Sequence, residues 1–229
     1  MTHQPEALSP APKKLPRLVL SQDGLGQAPA IYAFPPNRAT LGGTAYLIVG
    51  EVNILVDCPA WDKTNQEFIQ TQGGIEFLFI THRGAIAQAK ELQQSFGCQI
   101  VVQEQEAYLL PGLQLSPFQR DMDLSNDSQA IWTPGYSPGS ACLYYKPLQG
   151  VLFSGRHLLP RPDGQLALIR QAKTFHWPRQ QRSLQQLVQR FSPSTLEIIC
   201  PGANTGFLRG RSCIESAYAQ LVAAMADSP

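Results

Sequence analysis

Charge is scarce in this chain: 15% of its 229 residues are Asp, Glu, Lys or Arg, and the formal net charge is +1. A balance so near zero makes nucleic acid an unlikely partner, because such binding calls for a dense Lys/Arg stripe. Long apolar runs are missing as well. No stretch approaches the ~18 consecutive apolar residues of a membrane span, and residues 1–16 are polar and Pro-containing rather than signal-like. Five cysteines (58, 98, 142, 200 and 213) are odd in number and form no C-x-x-C pair, which excludes a disulfide framework and reads as reduced, buried thiols. No internal repeat of solenoid length is present. These absences together describe a cytoplasmic protein with no membrane partner.

What is present is ordinary globular material, 43% hydrophobic. Residues 1–28 read as a flexible, Pro-rich N-terminal arm and residues 29–229 as one domain. Charge is uneven along that domain. Residues 51–149 carry 11 acidic and 5 basic side chains, a balance of −6, whereas residues 150–229 carry 9 basic and 4 acidic, a balance of +5. The basic surplus is thin enough for arginines on solvated faces to account for most of it.

Residues 46–49 and 52–57 are β-rich and flank Gly50-Glu51, the pattern of a hairpin. Residues 62–70 suit a short helix with Asp62 as N-cap. Residues 75–80 form a nearly continuous apolar strand, as expected where both sheet faces are covered. Residues 85–96 then carry helical spacing, with Gly97 at the C-terminal cap, and residues 99–102 are the next strand. This β-α-β unit puts His82 at the carboxyl end of its first strand, where α/β sheets place ligands. Further on, residues 130–133, 141–145 and 151–154 read as strands joined by Gly/Pro turns. Residues 160–177 read as an irregular excursion, 179–191 as an amphipathic helix, 196–200 as a last strand and 212–225 as a closing helix.

Four short segments stand out in order: Thr81-His82-Arg83-Gly84-Ala85-Ile86-Ala87, Thr133-Pro134-Gly135-Tyr136-Ser137-Pro138-Gly139-Ser140, Leu152-Phe153-Ser154-Gly155-Arg156 and Ile199-Cys200-Pro201-Gly202-Ala203. They resemble the landmarks of the metallo-β-lactamase superfamily, T-H-x-H-x-D-H, T-P-G-H-T-P-G-S, L-F-x-G-D and P-G-H. Gly43 to Ile48 and Leu55-Val56-Asp57 resemble that family's first hairpin, and Trp177 to Leu187 its late helix. The resemblance implies an α/β fold, the αββα sandwich of metallo-β-lactamase type with mixed sheets, over about residues 30–225. It also implies a hydrolytic centre of His and Asp ligands around one or two metal ions.

The chemistry implied by the landmarks is absent from the residues. The seven ligand positions read His82, Gly84, Ile86, Ala87, Tyr136, Arg156 and Ala203. Glycine, isoleucine and alanine side chains carry no donor atom, a phenol is a poor zinc ligand at neutral pH, and a guanidinium has no lone pair and repels a cation. His82 alone does not retain a metal. One alternative rebuilds a zinc or iron site from His82, His157 and His176, the other internal histidines, although no ligand spacing supports it. Another uses Cys58, beside Asp57, as a thiol nucleophile with His82, against the plainer reading of Cys58 as a buried cysteine.

The expectation is therefore a metal-free, non-catalytic member with no cofactor and a binding or regulatory role, set against a metal-dependent hydrolase of an ester, thioester or phosphoester. Its partner is either another protein or a small anion held by His82, Arg83, Tyr136 and Arg156, with Arg161, Lys173 and Arg179 near the pocket mouth. Arg156 has a second reading, as an internal partner of Asp57 that replaces the metal structurally.

Overall fold

The computed structural model describes residues 14–227. Its first sheet contains, in spatial and chain order, β1 (Arg17–Ser21), β2 (Ala30–Ala33), β3 (Tyr46–Val49), β4 (Ile54–Val56), β5 (Phe77–Phe79), β6 (Gln99–Gln103) and β7 (Leu115–Phe118). β1 to β4 pair antiparallel, and β4 to β7 pair parallel. The parallel steps need crossovers, supplied by α1 (Lys63–Thr71) and α2 (Ala89–Phe96), while the short α3 (Glu104–Ala107) links β6 to β7. In the second sheet β8 (Asp121–Asp123), β9 (Ser128–Trp132), β10 (Ala141–Tyr145) and β11 (Val151–Gly155) run as an antiparallel meander. A small ladder of β12 (Leu159–Pro160) and β13 (Leu166–Ala167) and the helix α4 (Trp177–Arg190) follow. Next, β14 (Ile198–Pro201) pairs parallel to β11, and α5 (Ala217–Ala226) closes the described chain.

Period-2 alternation explains why so many strands are apolar on both faces. Tyr46, Ile48, Phe79 and Val101 of the first sheet meet Leu143, Val151 and Phe153 of the second in the central core. Leu47, Leu78, Ile100 and Val102 point the other way, against α1 and α2. Cys142, Leu152 and Ile199 likewise face Leu184, Leu187 and Leu221 of α4 and α5. Three apolar seams separate four layers, so the architecture is the expected αββα sandwich.

Several boundaries shift for identifiable reasons. Residues 17–21, assigned from the sequence to a flexible arm ending at 28, instead form β1 against β2; residues 1–13 of that arm lie outside the described residues. The helix expected from 85 begins at Ala89, because Ala85 turns back onto His82 through a 2.9 Å backbone bond. The helix expected from 179 begins at Trp177, with His176 accepting from the Arg179 amide and Pro178 in the first turn, where its missing N–H costs nothing. The closing helix starts only at Ala217, since Ile214 first bridges to Ile199. The excursion contains the β12–β13 ladder. Among the described residues, no helix is long and apolar enough to cross a membrane.

Candidate functional site

The carboxyl ends of β4, β5, β11 and β14 converge on one edge of the sandwich. Asp57 follows β4, Thr81 and His82 follow β5, Arg156 follows β11, and Gly202 and Ala203 follow β14. Two glycines allow this approach. A Cβ on Gly202 would lie 2.8 Å from Gly155 Cα, and one on Gly155 would lie 2.5 Å from Thr81 Oγ1. Backbone bonds lock the same junction, from Gly202 N to Gly155 O (2.8 Å) and from Ala141 N to Thr81 O (2.9 Å).

At the floor, Asp57 accepts from the Thr81 amide (2.8 Å) and from the Thr81 hydroxyl (2.7 Å). Thr81 Oγ1 also lies 2.9 Å from His82 Nδ1. With Asp57 ionised, the hydroxyl proton is committed to the carboxylate, so His82 Nδ1–H donates to Thr81 and Nε2 carries the lone pair. Burial pushes the Asp57 carboxyl up to about 7, against the pull of the Thr81 bonds and of Arg156. Burial, aided by the Arg156 charge, pushes His82 down to about 3. His82 is therefore neutral at physiological pH, and its buried Nε2 has no hydrogen-bond partner among the described residues.

Arg156 is only 9% exposed. Its Nη2 donates to the Leu41 carbonyl (2.6 Å) and reaches the Thr40 carbonyl at 3.5 Å. Its Nε has no partner, and it makes no ion pair among the described residues. The pairing with Asp57 considered from the sequence is thus not formed; Arg156 acts on Asp57 through its field alone. Tyr136 packs edge-on against His82, with ring centroids 5.1 Å apart. Burial raises its phenol, while the charge of Arg156 and a hydrogen bond from it oppose the rise.

The other expected residues separate. Arg83 donates to Glu106 (3.2 Å), whose Oε1 also accepts from the Gly139 amide (3.2 Å). Glu106 belongs to α3, in a stretch the sequence reading left unassigned, and no motif there announced a site residue. Cys58 does not join His82. It sits in the outer core with Leu55, Leu78 and Leu92, and burial drives its thiol far up, which disfavours the thiolate. His157 is buried with both ring nitrogens unpartnered, and its carbonyl accepts from Gln180 of α4. His176 is an exposed N-cap. The alternative three-histidine set is therefore not assembled: among the described residues, no three His, Cys, Asp or Glu are grouped to hold a metal.

Directly outside this floor lies a cavity of about 260 Å³, lined by Leu41, Arg83, Gly84, Tyr136, Lys173 and Phe175 together with Ser137. Lys173 reaches the mouth as expected. Arg161 instead pairs with Asp227 (3.2 Å), and Arg179 lines a different groove.

No protein-family profile matches this chain, and no curated protein matches it significantly. Solved structures do. TTHA1623 in a di-iron-bound form superposes with a TM-score of 0.64 at 20% identity over 85% of this chain and 98% of that one. The B3 metallo-β-lactamase BLEG-1 gives 0.64 at 14% identity, over 87% and 98%. An archaeal metallo-β-lactamase superfamily protein from Sulfolobus tokodaii gives 0.60 at 12% identity, over 86% and 84%. The chain has the metallo-β-lactamase fold. The donor set does not fit the metal that the fold implies. A Cβ at Gly84 would stand 3.1 Å from His82 Nε2, so the place beside the one remaining imidazole nitrogen holds no side chain. Ile86 is packed against the outer core, Ala87 is exposed, Ala203 is buried, and Arg156 brings a positive charge to the position where the resemblance implies a carboxylate. Against the three protein ligands of an ordinary catalytic zinc site, this metallo-β-lactamase-fold chain offers one. Protein purified with added zinc or iron is expected to hold well under one ion per chain by elemental analysis. A stoichiometric ion that survives dialysis would contradict this.

Proposed function

We propose that this metallo-β-lactamase-fold chain is a metal-free, non-catalytic binding or regulatory protein, and that the site over His82 and Arg156 takes a small anion. The observation that carries the reading is Arg156, a buried guanidinium with no acid partner among the described residues. A buried charge without a counter-charge is costly, and two carbonyls satisfy only part of its donor fork. A carboxylate or phosphate would meet the idle Nε and supply the missing charge, and a charge-assisted bond of that kind is about twice as strong as a neutral one. Lys173 adds to the field, Arg83 being already paired with Glu106, while Leu41, Tyr136 and Phe175 offer an apolar wall for the body of such a ligand. Arg156 Nε and His82 Nε2 are closed from solvent, so a ligand that reaches them must displace part of the wall above them. The five free, buried thiols suit a reducing compartment, which supports the cytoplasm as its place.

Thermal melts with acetate, phosphate and sulfate test this reading. Wild type is expected to gain several degrees over chloride at equal ionic strength, and Arg156→Met to lose that gain, each protein being compared with its own melting temperature in chloride. Equal anion effects in the two proteins would overturn the anion site. Chelator-sensitive turnover of an ester, thioester or phosphoester would restore the metal-dependent hydrolase.

A further inference from the structure

A groove of about 610 Å³ lies elsewhere, between α4 and the β8–β9 edge of the second sheet. Arg179 and Arg182, one turn apart on α4, line one wall, and Arg120 lines the other. The only acid lining it is Asp121, which is already held by Arg190 through two bonds of 2.9 and 3.2 Å. Arg120, Arg179 and Arg182 make no ion pair among the described residues. The groove therefore carries three unneutralised guanidiniums in a chain whose total charge is only +1. Trp132 also lines it, half-buried, with its indole N–H committed to the Pro138 carbonyl (2.9 Å), which fixes the ring as a wall rather than a donor.

We propose that this groove binds a nucleotide-sized polyphosphate, its phosphates forked by Arg120, Arg179 and Arg182 and any ring it carries laid against Trp132. The volume falls in the range of small-molecule sites, and the forked geometry of guanidinium matches phosphate oxygens in pairs. Three guanidiniums confined to one groove suit two or three linked phosphates better than a nucleic-acid strand, which needs a basic track many residues long. This proposal is independent of the anion site at Arg156.

Isothermal titration of the full chain with inorganic pyrophosphate, a nucleoside triphosphate and a single-stranded oligonucleotide tests it. The triphosphate is expected to bind with a Kd that rises steeply with salt. Pyrophosphate is expected to bind more weakly by the loss of the ring contact, about tenfold for ~1.4 kcal/mol of stacking. The surface double variant Arg179→Gln/Arg182→Gln should weaken the triphosphate by about a hundredfold, while Arg170→Gln, an exposed arginine outside the groove, leaves it unchanged. Circular dichroism of the double variant confirms its fold. Absence of triphosphate binding at millimolar concentration, equal binding by the double variant, or an oligonucleotide that binds far more tightly than the triphosphate would each overturn the proposal.

Discussion

Gly155→Ala is expected to cost about 3–6 kcal/mol of stability, a large part of the roughly 5–15 kcal/mol that holds an ordinary domain together. Gly155 has φ of +53°, a region that costs an L side chain about 1–2 kcal/mol. The new methyl would also stand 2.5 Å from Thr81 Oγ1 and 2.6 Å from Thr81 Cβ. Thr81 cannot retreat, because its hydroxyl is bonded to Asp57 and His82 and its amide to Asp57. Overpacking of this kind costs about 1–3 kcal/mol, and loosening the Thr81–Asp57 bonds about 1 more. Gly112→Ala is the control, since Gly112 has φ of +74° with nothing within 4 Å of a built Cβ; it bears the backbone strain alone. Urea unfolding of the two variants separates the effects. Equal losses would mean that the junction between the sheets is not tightly packed at Thr81.

The second large effect is with pH. His82 and His157 are held neutral, pushed down to about 3 by burial, with Arg156 adding to the effect on His82. Burial pushes Asp57 the opposite way, up to about 7. Between about pH 4 and 6 the unfolded chain carries protons on both imidazoles and none on Asp57, while the folded chain carries one on Asp57 and none on the imidazoles. The unfolded state holds one proton more, so stability falls on acidification by about 1.4 kcal/mol per pH unit in that window. Above about pH 7 these groups contribute no slope. His157→Phe removes one of the two histidine contributions, which should leave stability nearly flat from pH 6 to 4. A wild type that is flat over that range, or a variant with the same slope as wild type, would show that the imidazoles are solvated.

The parts of the fold that were legible in the sequence are those with local signals. The Tyr46–Val56 hairpin, the β5–α2–β6 crossover with its Gly97 cap, and α1 with Asp62 as cap all combine apolar periodicity with a punctuating residue. β8, with the sequence Asp-Met-Asp, has no apolar pattern and is a strand only because β9 pairs with it. β1 is different: its Leu18-Val19-Leu20 run is apolar, but the Pro-rich stretch that precedes it masks it. At the site, motif order singled out His82, Tyr136 and Arg156, and the structure puts the Tyr136 ring against His82 with the Arg156 charge acting on both. Their partners were not readable. The carbonyls that bind Arg156 lie 115 and 116 residues away and are aimed by a left-handed turn at Leu41. Glu106, which takes Arg83, comes from a generic Glu-Gln-Glu-Ala helix. Cys58 adjoins Asp57 in sequence, yet the chain turns at Asp57 with φ of +62° and sends the thiol into the outer core.

The grip of Arg156 on Leu41 limits which substitutions this edge of the sandwich accepts. Arg156, just past the end of β11, fastens itself to the Thr40–Leu41 loop through that loop's carbonyls. An acid at position 156 would release that loop and set a carboxylate near Asp57 with no cation between them, while Gly84 and Ala203 would still offer no donor. No single substitution at these positions would therefore assemble the three donors of an ordinary zinc site.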